Sequence, residues 1–468
     1  MPPTKSSRRQ KNRQAELFPR SKRPVIELDP NHRLVRVTDE LDWTELEELV
    51  QAIRMSKLKN EAGRPPHLRA LIGALVFRAL RRMTYRDTED QIRHYAPGRY
   101  LCGLTESDWT PDANTIQDFE QLLGEDGVKQ LNQYVVKQAV AEKLADPRVV
   151  VADTTAQEAA IPYPNEMRLM ATFVSAVAAT SRKVGSALKG FVERAGRWFA
   201  TAKRKVREFR LFAKNKTKAA RMQLMTEMSN LVEKVYKGLG RGLAQAKRHT
   251  LRLARYRKVA WAKAEKLQRT MATLLPQIRY WIRTGWVAAN KVISLEIPEL
   301  YAIVRGKVGK TVEFGLNWGI TRLRGGFLLA TMAKDKRELV DSKFAVRAVQ
   351  DHKALFGRPP RAYAYDRGGW SQNNVDELRR MGVAEVGLAP RGQAKWQVSG
   401  TAKDRLVSER AQVEAGIGTI KSWKYGFNRP AAKSVDTMGM CGQRAVLGFN
   451  LTKLVRGLTE REGIVLVG

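Results

Sequence analysis

The 468-residue sequence has few side chains that bind soft metals or form disulfides: two cysteines and five histidines. Cys102 and Cys441 have no paired spacing, and the histidines are scattered along the chain. This distribution argues against a disulfide framework and against a zinc site. Such sparse cysteine usage is typical of a reducing compartment, so we expect a cytoplasmic protein.

Long apolar runs are also lacking. The most apolar stretch, residues 169–180, is about twelve residues long, whereas a membrane-spanning helix needs roughly 20. The N-terminal sequence MPPTKSSRRQKNRQ lacks the apolar core of a signal peptide. We therefore expect no membrane role.

Acidic side chains are scarce relative to basic ones. The chain has 84 Lys and Arg against 47 Asp and Glu, a net charge of +37. Residues 181–290 alone contain 28 Lys and Arg, five Glu and no Asp, which gives +23. A solvated helical face normally alternates charges of both signs, and this segment does not. The excess indicates a polyanionic partner such as nucleic acid.

The region before residue 148 has a helical pattern. An apolar periodic run follows Pro66, Thr84 with Asp87 predicts a capped helix start, and a third helical segment ends at Gly124. Short helices with tight joints are typical of a helix-turn-helix-like module that binds DNA. They are equally typical of a helical bundle that holds subunits together, and both interpretations stay open.

A short apolar run, RVVVADTT, interrupts the helical pattern and predicts a buried strand with Asp153 at its carboxyl end. Residues 167–297 are rich in Ala, Lys, Arg and Leu and predict long helices. Two antiparallel strands joined at Gly325 and Gly326 should follow, and then a helix from about Asp341.

The last part of the chain continues this alternation. RAYAYD predicts a second short strand ending in an acid, Asp366, and further helices and a strand follow. One of these helices carries Arg410, Glu414 and Lys421. At 100° per residue, all three lie on one face within about 40° and over roughly 16 Å. A solvated i,i+4 ion pair is the simpler interpretation of Arg410 and Glu414.

The arrangement of acids favours a chemical role. In open α/β sheets, functional sites collect at the carboxyl ends of strands, so adjacent strands would bring Asp153 and Asp366 together beside the Glu414 helix. Three carboxylates without thiols or imidazoles suit two hard cations, Mg²⁺ or Mn²⁺. Such a pair supports phosphoryl transfer. Other acids, such as Asp351, Asp376, Asp404 and Glu409, lack this placement.

Three segments of the chain resemble the insertion-sequence transposases of the DDE class, which have a ribonuclease-H-like catalytic core. They are VVADTTAQEAAIPYPNEMRL, RAYAYDRGG and RAQVEAGIGTIK. The last matches the family's Arg-x3-Glu-x6-Lys signature at Arg410, Glu414 and Lys421. The Tyr that precedes this signature is replaced by Val407. Residues 63–124 also resemble the helical N-terminal domain of these transposases.

The resemblance implies an α/β ribonuclease-H-like core, a mixed sheet flanked by helices, with an N-terminal helical domain. It implies Asp153, Asp366 and Glu414 as catalytic metal ligands, and DNA contacts by Arg410, Lys421 and Arg367. The basic helices would form an insertion between the first two core strands, whereas better-known relatives are often interrupted just before the Glu helix. The expected division is 1–31 basic arm, 32–147 helical domain, 148–166 core, 167–297 insertion and 298–468 core.

The expected activity is metal-dependent cleavage and strand transfer at the terminal inverted repeats of a mobile element. Double-stranded DNA would be the partner, at least a homodimer would form on it, and the protein would be nucleoid-associated. A nuclease on the same core and a non-catalytic or domesticated DNA-binding protein are the alternatives. Nucleotide binding is not expected for the GKVGKT segment at residues 306–311. The earlier Gly that a phosphate-binding loop needs is replaced by Val304, and a strand-like segment follows where a helix is required.

Three tryptophans near the predicted site have two possible roles. Trp370, Trp396 and Trp423 would most simply pack in the core. The alternative is that they stack on unpaired bases near the cut.

Overall fold

The computed structural model describes residues 27–58, 66–104, 109–211, 217–246, 254–307, 310–335, 338–392 and 394–467. Most of the basic arm predicted for residues 1–31 lies outside these ranges. None of the helices within them has the length and apolar character needed to cross a membrane.

The N-terminal region is helical, as predicted. Its described elements are α1 (Arg33–Glu40), α2 (Trp43–Lys57), α3 (Leu68–Arg81), α4 (Tyr85–His94), α5 (Ala96–Leu101) and α6 (Ala113–Ala141). The apolar run after Pro66 forms α3, whose residues 70–80 are all buried. Helix α4 begins with the predicted capping box of Thr84 and Asp87. The predicted helix end at Gly124 is confirmed by a non-helical backbone there, with φ 62° and ψ −169°, and a second helical segment of α6 follows directly.

The described strands form one mixed sheet. They are β1 (Asp146–Glu158), β2 (Tyr301–Lys307), β3 (Lys310–Arg324), β4 (Leu328–Met332), β5 (Ala362–Tyr365) and β6 (Glu385–Leu388), in the order β2–β3–β1–β5–β6 with β4 also paired to β3. Strand β3 pairs antiparallel with β1, β2 and β4, whereas β1–β5 and β5–β6 are parallel. The predicted antiparallel pair around Gly325 and Gly326 is confirmed as β3 and β4. The strand-like segment after GKVGKT is likewise confirmed as β3.

The predicted strand end at Asp153 is wrong. Strand β1 continues five residues further, to Glu158, and pairs with β3 over this extension. The polar residues Thr154, Thr155 and Gln157 are buried there. Gln157 donates from Nε2 to the carbonyl oxygens of Phe427 and Met438, at 3.0 Å each. These partners allow polar side chains inside a buried strand.

The basic segment forms the long helices that its composition predicts. They are α7 (Glu166–Val184), α8 (Lys189–Leu211), α9 (Lys218–Ala246) and α10 (Arg255–Thr284), between β1 and β2 in the chain. Their apolar faces share a hydrophobic cluster that includes Phe173, Met228 and Met271. Cations therefore occupy the outer faces, since the inner faces are used for packing.

The remaining helices flank the sheet. They are α11 (Asp341–Phe356), α12 (Gln372–Arg380), α13 (Gly400–Lys421) and α14 (Val435–Arg461). One hydrophobic cluster contains Ile72 of α3, Val150 of β1 and Leu451 of α14. The N-terminal helices thus pack on the same core as the sheet. The chain has a mixed α/β fold with a helix-flanked sheet, and the domain boundaries stay predictions.

A buried ion network joins three of these helices. Glu120 of α6 is 1% exposed and accepts hydrogen bonds from Arg78 of α3 and Arg444 of α14. Burial, followed by repulsion from Arg444, lowers the pKa of Arg78 to about 9. A single carboxylate compensates both guanidinium groups, so its loss would leave two cations near or inside the core.

Candidate active site

The register of two parallel strands aligns the first two predicted acids. Val151 of β1 is the partner of Ala364 of β5, and Asp153 and Asp366 each lie two residues further on. Asp366 keeps an extended backbone, with φ −74° and ψ −178°. Residues two apart on an extended chain share a face, and neighbouring strands lie roughly 4.8 Å apart. Asp153 and Asp366 therefore occupy adjacent positions on one face of the sheet.

Asp153 lies where the parallel ladder stops. The β1–β5 pairing ends at Val151 and Ala364, and beyond it β1 is paired with β3 alone. The Asp153 side chain is half-buried, and its Oδ1 accepts the Thr154 backbone N–H at 2.7 Å. The acid therefore lies at the end of a ladder rather than at the end of its own strand.

Asp366 caps a short 3₁₀ turn, Arg367–Gly369, directly after β5. Its Oδ1 accepts the backbone N–H of Gly368 at 2.8 Å. Burial, and then the nearby carboxylate of Asp341, raise the pKa of Asp366 above its ordinary value. The backbone N–H groups of the turn and the positive charge of Arg410 act in the opposite direction. The surroundings of Asp366 thus disfavour its ionised form.

Helix α13 crosses the sheet face on which Asp153 and Asp366 lie. Its buried positions are Leu406, Glu409, Val413, Ile417 and Ile420. A Cβ on Gly387 of β6 would lie 2.6 Å from the side chain of Leu406, and Val413 shares a hydrophobic cluster with Val151. The start of α13 therefore packs over β6, and the helix continues towards β1 and β3.

The two edges of α13 carry different acids. Glu409 is buried and accepts hydrogen bonds from Arg322 at 2.6 Å and Arg324 at 2.9 Å, both on β3. Glu414 comes five residues later, about 140° further round the helix, and is exposed. Arg410, on the same edge as Glu414, acts on the charge of Asp366. Of the predicted face, Arg410 is thus within electrostatic range of Asp366, and the approach of Glu414 and Lys421 to the two aspartates stays a prediction.

The three predicted acids do not form a compact ligand set. Among the described residues, no group of three or more His, Cys, Asp or Glu side chains is arranged to hold a metal ion. Asp153 and Asp366 are neighbours by register, and Arg410 acts electrostatically on Asp366. Glu414 lies on the adjoining helix edge, exposed, and Lys421 is half-buried two turns further along.

Sequence reasoning missed one acid in this region. The Oδ1 of Asp341, the first residue of α11, accepts the Thr154 hydroxyl at 2.5 Å and the Tyr365 hydroxyl at 3.4 Å. A Cβ on Gly368 would lie 2.5 Å from Oδ2 of Asp341, so only glycine allows this approach. The sequence pattern predicts a helix start at Asp341, and nothing in its spacing indicates these contacts.

The other predicted residues have varied surroundings. Arg367 is exposed on the 3₁₀ turn next to Asp366. Trp370 is half-buried and packs against the hydrophobic cluster that contains Val150, which confirms a core role. Trp396 is half-buried, with the Lys403 ammonium 5.9 Å from its ring centroid. Trp423 is 85% exposed, so the core-packing interpretation is wrong for this residue.

Comparison with known proteins gives one finding. The model of a protein family described as Transposase domain (DUF772) matches residues 25–122, the region of α1 to the first part of α6. No curated protein and no solved structure matches the chain significantly. The family match supports a transposition-related function, and therefore DNA as the partner of this chain.

Proposed function

We propose that this chain is a DDE transposase with a ribonuclease-H-like core. It cleaves DNA at the terminal inverted repeats of a mobile element and joins the new 3′ ends to target DNA. The observation that carries this proposal is the β1–β5 register, which makes Asp153 and Asp366 neighbours on the face beneath the Glu414 helix. The transposase-domain match over residues 25–122 supports it independently.

The donor set fits divalent cations. Asp153, Asp366 and Glu414 offer carboxylate oxygens only, the ligands that Mg²⁺ and Mn²⁺ prefer. The raised pKa of Asp366 indicates negative charge that a cation would stabilise. Asp153 and Asp366 would hold both of two ions, and Glu414 one of them. Such ions, when bound, activate a water or 3′-hydroxyl and stabilise the leaving oxygen.

The cations near the acids would position the DNA strand. Arg410 and Lys421 share the α13 edge with Glu414, and Arg367 is exposed beside Asp366. Guanidinium and ammonium groups at this spacing would bind phosphates several nucleotides apart on the strand and hold the scissile one against the acids. Their contribution is to orientation, since a phosphate contact carries no proton to or from the reacting atoms.

The rest of the chain would bring two DNA ends together. The N-terminal helices, residues 32–147, would contact the ends or hold subunits together, and the basic bundle within residues 167–297 would bind DNA backbone. Cleavage and joining at both ends call for at least a dimer on the DNA. A nucleoid-associated protein is the expected result of this charge and partner.

Cleavage of a labelled duplex that carries one end of the element tests the proposal. With Mg²⁺, the wild-type chain should produce cut ends and joined products. Asp153→Asn should abolish both while DNA binding changes little. Asp404→Asn, an exposed acid on the same helix as Glu414, is the control and should cleave normally. Cleavage by the Asp153 variant would remove that residue from the site.

Pre-cut ends distinguish the rival activities. A transposase joins them to target DNA, whereas a nuclease on the same core yields no joined product. A non-catalytic DNA-binding protein binds the ends but neither cuts nor joins them, with or without metal.

A further inference from the structure

The turn after α13 presents an exposed tryptophan. Trp423 lies two residues beyond Lys421, the last residue of the helix, and is 85% exposed. An indole buries roughly 150–250 Å² when it packs. Exposure of this ring forgoes that stabilisation, and its meaning depends on the groups that surround it, since a single exposed apolar side chain is common on protein surfaces.

The N-terminal helices hold this turn in place. Arg82, the residue that ends α3, donates from Nη1 to the carbonyl oxygen of Trp423 at 2.7 Å. Its guanidinium carbon lies 5.6 Å from the Trp423 ring centroid. A Cβ on Gly426, where φ is +72°, would lie 2.7 Å from Nε of Arg82. The backbone of the turn is therefore fixed, while the ring remains open to solvent.

The charged side chains of the segment that carries the ring are all cations, and one of them, Arg429, pairs with Glu158 of β1. Residues 415–435 contain Lys421, Lys424, Arg429 and Lys433 and no acid. Arg82 adds an exposed guanidinium directly beside the ring. A polyanion fits this surface better than a protein surface without acidic residues does, because the phosphates of a polyanion would pair with the cations.

Unpaired bases fit the ring itself. In a duplex the base faces are covered by neighbouring bases, so an indole cannot stack on them without unstacking. A single-stranded or extruded base offers its face, and stacking on an aromatic side chain then adds affinity with little sequence preference. Cations beside the aromatic ring, as here, are typical of surfaces that bind single strands.

The position of the ring relates it to the proposed cut site. Glu414 lies seven residues before the end of α13, about 10 Å along the axis at 1.5 Å per residue. That length corresponds to roughly three nucleotide steps. Arg82 lies within the transposase-domain match, residues 25–122, so that region contacts the turn that follows the Glu414 helix.

We propose that Trp423, supported by Arg82 and Lys424, stacks on an unpaired nucleotide of the DNA a few steps from the cleaved phosphate. The location relative to the cut rests on the proposed function. The binding of unpaired nucleotides does not, because it follows from the ring, the cations and their exposure.

Binding without cleavage tests this inference separately from the proposed function. The full chain, in EDTA, is titrated into two fluorescein-labelled DNAs of equal paired length, one blunt and one with a five-nucleotide single-stranded overhang, and anisotropy is followed. The wild type should bind the overhang DNA more tightly. Trp423→Ala should reduce affinity for overhang DNA roughly 5- to 150-fold, the range for one stacked base, and leave blunt-DNA affinity unchanged.

Matched variants keep the test decisive. Trp423→Phe should retain most of the overhang preference, whereas Trp423→Leu should lose it, since leucine is apolar but has no ring. Tyr163→Ala is the control, because Tyr163 is another exposed aromatic side chain, 71% exposed, outside the surfaces proposed to contact DNA. 2-Aminopurine in the overhang should lose emission on wild-type binding and not on Trp423→Ala binding.

Three results would overturn the inference. The first is a wild-type chain with no overhang preference. The second is an Ala variant that keeps this preference, or that loses affinity equally for both DNAs. The third is a change in the sedimentation of the DNA-free chain on Trp423→Ala, which would assign the ring to a protein interface. Absence of cleavage or joining would count against the proposed function and leave the binding result standing.

Discussion

Glu409 accepts a hydrogen bond from Arg322 at 2.6 Å beneath helix α13, where both side chains are buried. Arg324 donates to the same carboxylate at 2.9 Å. Glu414, five residues later on the same helix, is exposed. One helix therefore carries a buried acid that holds it on the sheet and an exposed acid for which we propose a catalytic role.

Replacing each of these two acids with alanine should separate an effect on stability from an effect on activity. Glu409→Ala leaves Arg322 buried without its carboxylate and should cost about 3–5 kcal/mol of unfolding free energy. Glu414→Ala removes an exposed side chain and should change stability by about 0.5 kcal/mol or less, yet abolish cleavage. Urea unfolding and the end-cleavage assay measure the two effects. A destabilised Glu414 variant, or an inactive but stable Glu409 variant, would reverse the assignment.

The ionised side chain of Asp366 should destabilise the folded state at neutral pH. The pKa of Asp366 is raised, so the folded state resists its ionisation, and stability is lost as pH rises through that pKa. Asp366→Asn should therefore raise the thermal midpoint at pH 7 in EDTA. The gain should vanish below about pH 3.8, where the carboxyl is protonated in both states. A gain that persists unchanged at pH 3 would point to a cause other than charge.

Asp341 and Asp366 should be coupled. Asp341→Asn relieves the same repulsion and can still accept the Thr154 hydroxyl through its amide oxygen. Each single substitution should stabilise the metal-free chain, and the double variant should gain less than their sum. Contacting residues typically show coupling of about 0.5–3 kcal/mol. Additive effects in denaturant melts would mean that the two charges do not interact.

Loss of Glu120 should destabilise the contact between the N-terminal helices and α14. Glu120→Ala would leave Arg78 and Arg444 without the carboxylate they share, at a cost of about 3–5 kcal/mol. Glu460→Ala breaks an exposed i,i+4 pair with Arg456 and should cost about 0–1 kcal/mol. Chemical denaturation of the two variants gives the comparison. Equal costs would mean that the buried network adds nothing.

The basic bundle should set the salt dependence of DNA binding. Lys203, Arg207 and Arg210 are exposed on α8 at positions that share one face. Replacing all three with Ala should lower the slope of log K against log salt by up to about 2.7, at roughly 0.9 per phosphate contact. Arg361→Ala, exposed at the start of β5 and away from Asp366, is the control. An unchanged slope in the triple variant would remove this face from the DNA contact.

Local signals were sufficient for most helices. The capping pair Thr84 and Asp87 acts within four residues, and α11 begins at Asp341 as the pattern predicts. The partners of Asp341 are a different matter. Thr154 lies 187 residues earlier in the chain and Tyr365 lies 24 residues later, so only tertiary packing brings them together.

Polar residues inside a buried strand are the reason that the end of β1 was wrongly predicted at Asp153. Thr154, Thr155 and Gln157 resemble the end of a strand because their partners come from distant parts of the chain. Gln157, for example, donates to the carbonyl oxygen of Phe427. The adjacency in register of Asp153 and Asp366 was predictable, because functional residues of open α/β sheets collect at the carboxyl ends of neighbouring strands. The exposure of Trp423 was not, because aromatic residues are usually buried and the turn that exposes this one is fixed by Arg82.

The most direct test of the account is Mn²⁺ binding to the complex of this protein with uncut end DNA, followed by electron paramagnetic resonance. The account predicts two bound ions in the wild type, strongly weakened binding in Asp153→Asn and Asp366→Asn, partial loss in Glu414→Gln, and wild-type binding in Asp404→Asn. Undiminished Mn²⁺ binding in the Asp153 and Asp366 variants would contradict a metal site built on these acids.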